Sequence, residues 1–515
     1  MAPSTSQPSS ANIIPLWVNR IKLIETESTG KSARDYFKEW KVHPHLLLLL
    51  ERHGITDLFP VQKQVIPWLI NCDVLDRFSS SACDIVITAP TGQGKTLCYL
   101  LPIVNSIVTH NRRGLCALIL APTRELVKQT YDFCTWFLED DASVYDLKGG
   151  TLLRAHLCYG STSFVDDHTY LLEHSPQIVL FTPGRFVEHY NHRNSSCGKI
   201  LDYSSIRWMV IDEVDMLLSQ SYFNWTSVVT SISRECQEKQ SLLDTSFPVV
   251  RPQKILVSAT IPTKSAEIDL IQLNRPLLMK SRSQALYSLP ANLTQWYIKT
   301  TKNNKPLVLA KLLLHIMANG STGDKTIVFC SYRQTAHAMV RMLELFSIHT
   351  GHNLRSLELS ASLSQKQRHD VVDMFRKGDS FCLVCSDVAS RGMNFSNTRN
   401  VINYDFPTSI AKYIHRIGRT ARAYESGNSY ILLTGQQVVG FQKFTSEIQV
   451  GPEDIHQLWE NHLLEGKHDD DLNKIFTSIQ PLLDQCLMLE KKGKIQHDAA
   501  LPSNWTSLLE QPDDP

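Results

Sequence analysis

No apolar run in this chain approaches the roughly 20 residues that a bilayer-spanning helix needs. The leucine run Leu46 to Leu50 covers five. Charge of one sign is also lacking: 52 Lys and Arg stand against 51 Asp and Glu, for a net charge of +1. No global field therefore draws the chain onto nucleic acid, and any such binding must be local. No charged-then-apolar leader pattern is visible. The 12 cysteines are scattered, several of them (Cys330, Cys382, Cys385) inside apolar runs, which reads as a reduced, intracellular protein. The one C-x-x-C, Cys382 to Cys385, lies in a predicted strand, which puts its thiols on opposite faces and argues against a metal or redox pair. With 43% hydrophobic and 20% charged residues over 515 positions, the expectation is a soluble globular protein with two sizeable domains and tails.

What is present begins at residues 84–96. The β-branched run Ile85-Val86-Ile87-Thr88 leads into Ala89-Pro90-Thr91-Gly92-Gln93-Gly94-Lys95-Thr96 and then an apolar helical stretch. Strand, small-residue loop and helix form the context of a phosphate-binding loop. Gly92 and Gly94 allow a tight turn that aims backbone N–H groups at phosphate oxygens. Lys95 would reach the terminal phosphates, and the Thr96 hydroxyl would ligate Mg²⁺. Ala89 stands where the general pattern has its first glycine. Downstream, Asp212-Glu213-Val214-Asp215 ends the apolar run Trp208–Ile211. Parallel sheets bind ligands beyond the carboxyl ends of their strands, so this cluster and the loop can share one metal–nucleotide. Asp212 would hold Mg²⁺ and Glu213 would orient the attacking water.

Strand-like runs at Ile85–Thr88, Ala117–Leu120, Ile178–Phe181, Trp208–Ile211 and Ile255–Val257 alternate with helical stretches. A second series follows at Thr326–Cys330, Ser356–Leu359, Phe381–Cys385, Val401–Tyr404 and Tyr430–Leu433. The alternation predicts an α/β protein of two tandem domains, each a mainly parallel sheet with helices on both faces. The predicted organisation is a flexible extension over 1–34, a nucleotide-binding domain over 35–280, a linker over 281–305, a second domain over 306–440, and a helical extension with an acidic tail over 441–515. Within the first extension, Ile13 to Leu23 is apolar enough to dock on this protein or a partner.

The second half lacks a phosphate loop but carries His415-Arg416-Ile417-Gly418-Arg419-Thr420-Ala421-Arg422. On a helix, Arg416, Arg419 and Arg422 would form one cationic stripe. A bare stripe of this kind is usually a solvated face. Opposite a phosphate-binding domain, the economical reading is an arginine finger supplied across a cleft.

The chain resembles a DEAD-box RNA helicase with two RecA-like domains, over about residues 35–440. The motifs run in the family's order. The segment Gly54 to Gln62 resembles the Q motif, which implies that Gln62 reads the adenine edge and Phe37 stacks on its ring. Pro122-Thr123-Arg124-Glu125-Leu126, Tyr159-Gly160-Ser161 and Thr182-Pro183-Gly184-Arg185 match first-domain RNA contacts. Ser258-Ala259-Thr260 matches the motif that links hydrolysis, with Asp215, to closure. Gln365, Arg368 and Ser386 to Asn394 match second-domain motifs; by resemblance Gln365, Arg368 and Ser386 touch RNA and Asn394 the ribose. His415 and Arg416 belong to the coupling motif, and Arg419 and Arg422 are catalytic. Small residues and helix N-termini at Thr123, Gly160, Thr182 and Gly184 let amides approach the sugar–phosphate backbone, with Arg124 and Arg185 adding charge. ATP, Mg²⁺ and single-stranded RNA are thereby implied.

Departures from the pattern are Val214 for Ala, Ser386 for Thr, Asn394 for Asp, and Phe59-Pro60 in the Q motif. The segment G-I-x-x-x-F-P-V-Q, the following Ile66-Pro67, Ser386-Asp387 and Tyr413-Ile414-His415-Arg416 are similar to the Dbp6-like subgroup. That similarity implies large ribosomal subunit assembly, pre-rRNA and assembly factors as partners, a nucleolar location and no membrane. The alternative from another class is a scaffold that binds RNA or protein with little ATPase, favoured by Asn394.

Overall fold

Parallel strands covered by helices on both faces must be apolar on both faces, which is why the strands here read as continuous Ile/Val/Leu runs. The computed structural model describes residues 20–24, 31–75, 83–90, 92–138, 153–192, 202–203, 205–219, 224–243, 251–260, 268–281, 289, 292–321, 323–354, 356–360, 363–378, 380–387, 395, 398–421, 425–448, 455–458 and 468–492. The chain divides into two compact units, Met1–Ser288 and Leu289–Pro515.

The first unit is built on strands β1 Arg20–Ile24, β2 Ile85–Thr88, β3 Ala117–Leu120, β4 Ala155–Cys158, β5 Ile178–Phe181, β6 Trp208–Ile211, β7 Gln253–Ser258 and β8 Leu277–Ser281. They form one sheet in the order β1-β8-β2-β7-β6-β3-β5-β4, every pairing parallel. Its two faces feed two apolar clusters: Ile85 and Ile87 point into one, Val86 into the other. All carboxyl ends share one edge, so the phosphate loop after β2 and the acidic cluster after β6 lie on the same side. β7 stands between them, which makes them next-but-one rather than adjacent.

The second unit carries β9 Leu293–Lys299, β10 Lys325–Cys330, β11 Ser356–Leu359, β12 Cys382–Ser386, β13 Thr398–Asn403, β14 Gly427–Leu433 and β15 Ile455–Gln457. The order is β11-β12-β10-β13-β14-β9-β15, again all parallel. Cys382 points into one apolar cluster and Cys385 into the other, so the C-x-x-C thiols do face apart. Burial raises both Cys98 and Cys382 above the ordinary thiol range.

Three predicted boundaries are corrected. Residues 20–24, inside the expected flexible extension, are the edge strand β1 on β8, so part of the apolar Ile13–Leu23 segment docks on its own chain; residues 13–19 lie outside the described residues. The expected linker 281–305 contains β9, an inner strand of the second sheet. The 441–515 extension supplies β15 and the helix His468–Lys491, whose Leu472, Ile479, Leu483, Cys486 and Leu489 are core residues. Burying five such side chains contributes on the order of 10 kcal/mol of transfer free energy, so this helix is structural. No described helix is long and apolar enough to cross a membrane.

Candidate nucleotide and nucleic-acid site

The helix Lys95–Thr109 is apolar nearly all round and buried along its length, as befits a helix at the centre of an α/β unit. It starts from Gly94, which is left-handed at φ 61, after Gly92 at φ 80. A Cβ on Gly94 would collide with the Gln62 side-chain amide. Ala89 is 2% exposed and has no positive φ, so a glycine is not required there. The Lys95 ammonium donates to the carbonyls of Ala89 at 2.8 Å and Pro90 at 3.3 Å, folding the loop around itself. Gly92, Gln93 and Thr96 are exposed or half-buried around it. Thr91 lies outside the described residues.

Gln62 braces this loop from the other side. Its oxygen accepts from the Phe59 N–H at 2.9 Å, and its amide donates to the Gly94 carbonyl at 3.0 Å. Phe37, expected to stack on a base, is 2% exposed and edge-on to Trp40 at 5.8 Å. Phe37, on the helix Ala33–Glu39, belongs to the core cluster, and the partly exposed rings beside it are Tyr36 and Trp40.

Asp212 and Glu213 follow β6. The Tyr99 hydroxyl donates to Asp212 Oδ2 at 2.8 Å, and the Glu213 N–H donates to Asp212 Oδ1 at 2.9 Å. Burial and the adjacent Glu213 carboxylate push Asp212 up to about 6, against the Tyr99 hydrogen bond and the Lys95 charge. Glu213 takes a left-handed backbone, φ 48, a conformation that costs a non-glycine residue about 1 kcal/mol or more. Among the described residues, its Oε2 has no hydrogen-bond partner. Two close carboxylates, one of them hungry for positive charge, fit a divalent cation beside a phosphate loop. Tyr99 was not singled out from the sequence, though its position four residues after Lys95 puts it on the same helix face.

Thr260 donates its hydroxyl to Asp215, and its N–H reaches Ser258 Oγ at 3.1 Å. Ala89 N–H in turn donates to the Ser258 carbonyl at 3.4 Å. The intervening Ala259 is buried. The Ser258–Thr260 segment after β7 thus touches both the phosphate loop and the acidic cluster.

The ends of β3, β5 and β4 bring a second group together. Thr123 caps the helix Arg124–Cys134 by accepting from the Leu126 N–H at 3.3 Å. Arg124 is exposed, and a Cβ on Gly160 would lie 3.2 Å from its Nη2. Thr182 heads the helix Pro183–Asn191 without a side-chain capping bond, and Gly184 is half-buried. Arg185 departs from expectation. It is 6% exposed, donates to the carbonyls of Tyr159 (3.2 Å) and Thr162, and pairs with Glu188 at 2.9 Å. Its charge is spent on positioning the Gly160 loop rather than presented to solvent.

In the second unit, Ser386 ends β12 and is 5% exposed, Gln365 opens the helix Gln365–Lys377, and Arg368 is half-buried on it. The predicted arginine stripe is corrected: the helix Ile410–Ile417 stops at Gly418, so Arg419 lies beyond it. His415 is half-buried near the helix end. Arg416 is 2% exposed and grips Asp387 with two bonds, 2.6 and 3.0 Å, while donating to the Asp405 carbonyl at 2.7 Å. Arg419 is half-buried; Arg422 and Asn394 lie outside the described residues.

Residues 59–268 match the DEAD/DEAH box helicase family, and residues 304–424 match the helicase conserved C-terminal domain. The DEAD-box ATP-dependent RNA helicase 1 of Oryza sativa subsp. japonica is 30% identical over 505 residues, 88% of this chain and 89% of that protein. ATP-dependent RNA helicase DDX51 of Danio rerio is 29% identical over 84% of this chain and 68% of its own. DBP6 of Yarrowia lipolytica is 31% identical over 78% and 62%. Among solved structures, Mss116p bound to ssRNA and AMP-PNP aligns with a TM-score of 0.70 at 22% identity, covering 89% of this chain and 85% of that one, a likeness of fold. With a braced phosphate loop, a D-E-V-D cluster and a second unit bearing H-R-I-G-R in one chain, and with relatives matching across both units, this protein belongs to the DEAD-box family of ATP-dependent RNA helicases.

Proposed function

We propose that this chain uses ATP with Mg²⁺ to clamp and locally remodel pre-rRNA during large ribosomal subunit assembly in the nucleolus, alongside other assembly factors. The ribosomal part of this reading rests on similarity to the relatives named DBP6 and DDX51. The observation that carries the chemistry is the pair of carboxylates after β6, one held by Tyr99 and the other with an oxygen unpartnered among the described residues, on the sheet edge that also carries the Lys95 loop.

When bound, ATP and Mg²⁺ supply the phosphoanhydride and the charge neutralisation. Thr96 and Asp212 would hold the metal ion. Lys95 would meet the terminal phosphates, and Gln62 keeps Gly94 and the loop in place for the nucleotide. Glu213 would align a water for in-line attack and accept its proton. By the family resemblance, Arg419 and Arg422 of the second unit would supply positive charge to the transferred phosphoryl group. Thr123, Arg124, Gly160, Thr182 and Gly184 form the RNA-backbone face of the first unit, and Gln365, Arg368 and Ser386 contribute from the second. RNA-stimulated ATPase of the purified chain tests the reading. Glu213→Gln should retain ATP and RNA binding and lose about a hundredfold or more in turnover, the worth of one preorganised group. RNA-independent turnover, or wild-type turnover in Glu213→Gln, overturns it in favour of a scaffold.

A further inference from the structure

We propose that His156, Cys158 and Asp167 form a binding site for a thiophilic divalent cation of the Zn²⁺ class, separate from the nucleotide site. His156 and Cys158 are two residues apart on the edge strand β4, so both side chains leave the same face. Asp167 comes from the first turn of the helix Phe164–His174. An imidazole nitrogen, the thiol sulfur and a carboxylate oxygen all lie within 4.8 Å of one another. His156 Nε2 is already 3.0 Å from Asp167 Oδ1.

Zinc–ligand bonds of about 2.0–2.3 Å set tetrahedral ligand atoms roughly 3.3–3.8 Å apart, so the 3.0 Å His156–Asp167 pair would open slightly, and any separation near the 4.8 Å limit would contract, to close a site. One nitrogen, one sulfur and one oxygen form a donor set that suits Zn²⁺, and the thiolate disfavours Mg²⁺ and Ca²⁺. Cys158 is fully buried and Asp167 is 6% exposed, while the His156 side chain is 21% exposed and gives the ion a route in. Stacking on Tyr170 at 4.2 Å fixes the plane of the imidazole. The Thr162 hydroxyl donates to the other Asp167 oxygen and so helps to orient that carboxylate.

The ligands bracket the loop that carries Gly160. Cys158 ends β4, Ser163 caps the following helix, and Arg185 grips the carbonyls of Tyr159 and Thr162 in between. A cation bonded to both β4 and the helix ties the two ends of that loop together. The metal site does not rest on the RNA-backbone role proposed for Gly160.

The test uses the full chain, stripped with a chelator and titrated with Zn²⁺ alone by calorimetry, then with Co²⁺ by absorption spectroscopy. Wild type should take up a Zn²⁺ equivalent that raises its melting temperature, and the Co²⁺ form should show a thiolate charge-transfer band. His156→Ala and Cys158→Ser should each bind that equivalent at least about tenfold more weakly and lose the band. Cys72→Ser, at a half-buried cysteine outside the trio, should behave as wild type. If Cys158→Ser does not fold, His156→Ala at the accessible edge still decides. Hydrogen exchange over residues 159–163 should slow on adding Zn²⁺ to wild type but not to His156→Ala. Absence of the charge-transfer band, or equal Zn²⁺ affinity in wild type and His156→Ala, overturns the site; unchanged exchange overturns the loop clamp.

Discussion

The Tyr99 hydroxyl donates to Asp212 Oδ2 at 2.8 Å, joining the phosphate-loop helix to the acidic cluster inside the first sheet's core. Both residues are buried, so the bond is a charge-assisted one without competing water, worth about 1.5–3 kcal/mol. It favours the ionised carboxylate. Tyr99→Phe keeps the ring and removes the donor. The acid limb of kcat/KM for ATP should then move up by about one pH unit or more, with recovery toward wild type at higher pH. An acid limb that stays in place would reduce Tyr99 to a packing residue.

Asp212 also sets a stability trend. Its folded pKa of about 6 stands above the ordinary 3.8 because burial and Glu213 disfavour the charge. Below about pH 3.8 the carboxyl is protonated in both folded and unfolded chains, and its burial is tolerated. As pH rises through about 6 the folded state must hold a buried charge, and stability falls by up to about 3 kcal/mol. Asp212→Asn should therefore melt higher than wild type at pH 8 in the absence of nucleotide, with the gain fading toward pH 4, while ATPase is lost. Equal melting curves at pH 8 would sink the argument.

The strands Ile85–Thr88, Ala117–Leu120, Ile178–Phe181 and Trp208–Ile211 sit where the runs predicted, because doubly covered parallel strands leave little room for polar residues, whereas β4, β8, β9 and β15 were not anticipated. The edge strand β1 was not legible, because four of its five residues are exposed and carry no apolar stretch of strand length. The phosphate loop was legible from its small residues. What sequence could not assign was the direction of charged side chains. Arg185 and Arg416 look like Arg124 and Arg419 in a string of letters, yet the first two are buried against partners, Tyr159 and Asp387, that lie 26 and 29 positions away.

Arg185 and Arg124 should consequently separate on mutation. Arg185→Ala removes the donor to the Tyr159 and Thr162 carbonyls and leaves them and Glu188 without that cation. Destabilisation of about 1–3 kcal/mol is expected, visible as a lower denaturant midpoint without RNA. Arg124→Ala, at an exposed position, should leave that midpoint within about 0.5 kcal/mol and weaken RNA binding with a shallower salt dependence. If Arg185→Ala leaves stability unchanged while abolishing RNA binding, its inward orientation is wrong.

The C-terminal helix His468–Lys491 is held to the second unit by a buried charge cluster that makes its attachment pH-dependent. His337 sits between Glu358, at 2.7 Å, and Glu490, at 2.6 Å, while Arg341 bonds Glu490 at 2.6 Å and Glu344 at 2.8 Å. Burial alone would push His337 down, but its hydrogen bonds to Glu358 and Glu490 override that and raise it to about 9 from the ordinary 6.5. The protonated form is therefore bound more tightly in the folded chain than in the unfolded one. That contribution is fully present below about pH 6.5 and is lost as pH rises through about 9, amounting to about 3 kcal/mol. Wild type and His337→Gln should differ most in melting temperature near pH 6.5, and the gap should narrow steadily toward pH 10. Glu490→Gln should show the same convergence from the other partner, since it lowers the affinity of His337 for its proton. A chain ending at residue 467 lacks the helix and uncovers the core it packs on, and it should lose the cooperative unfolding of the second unit at every pH. A constant gap between wild type and His337→Gln across pH 6.5 to 10 would show that the imidazole acts through packing and carries no charge in the folded chain.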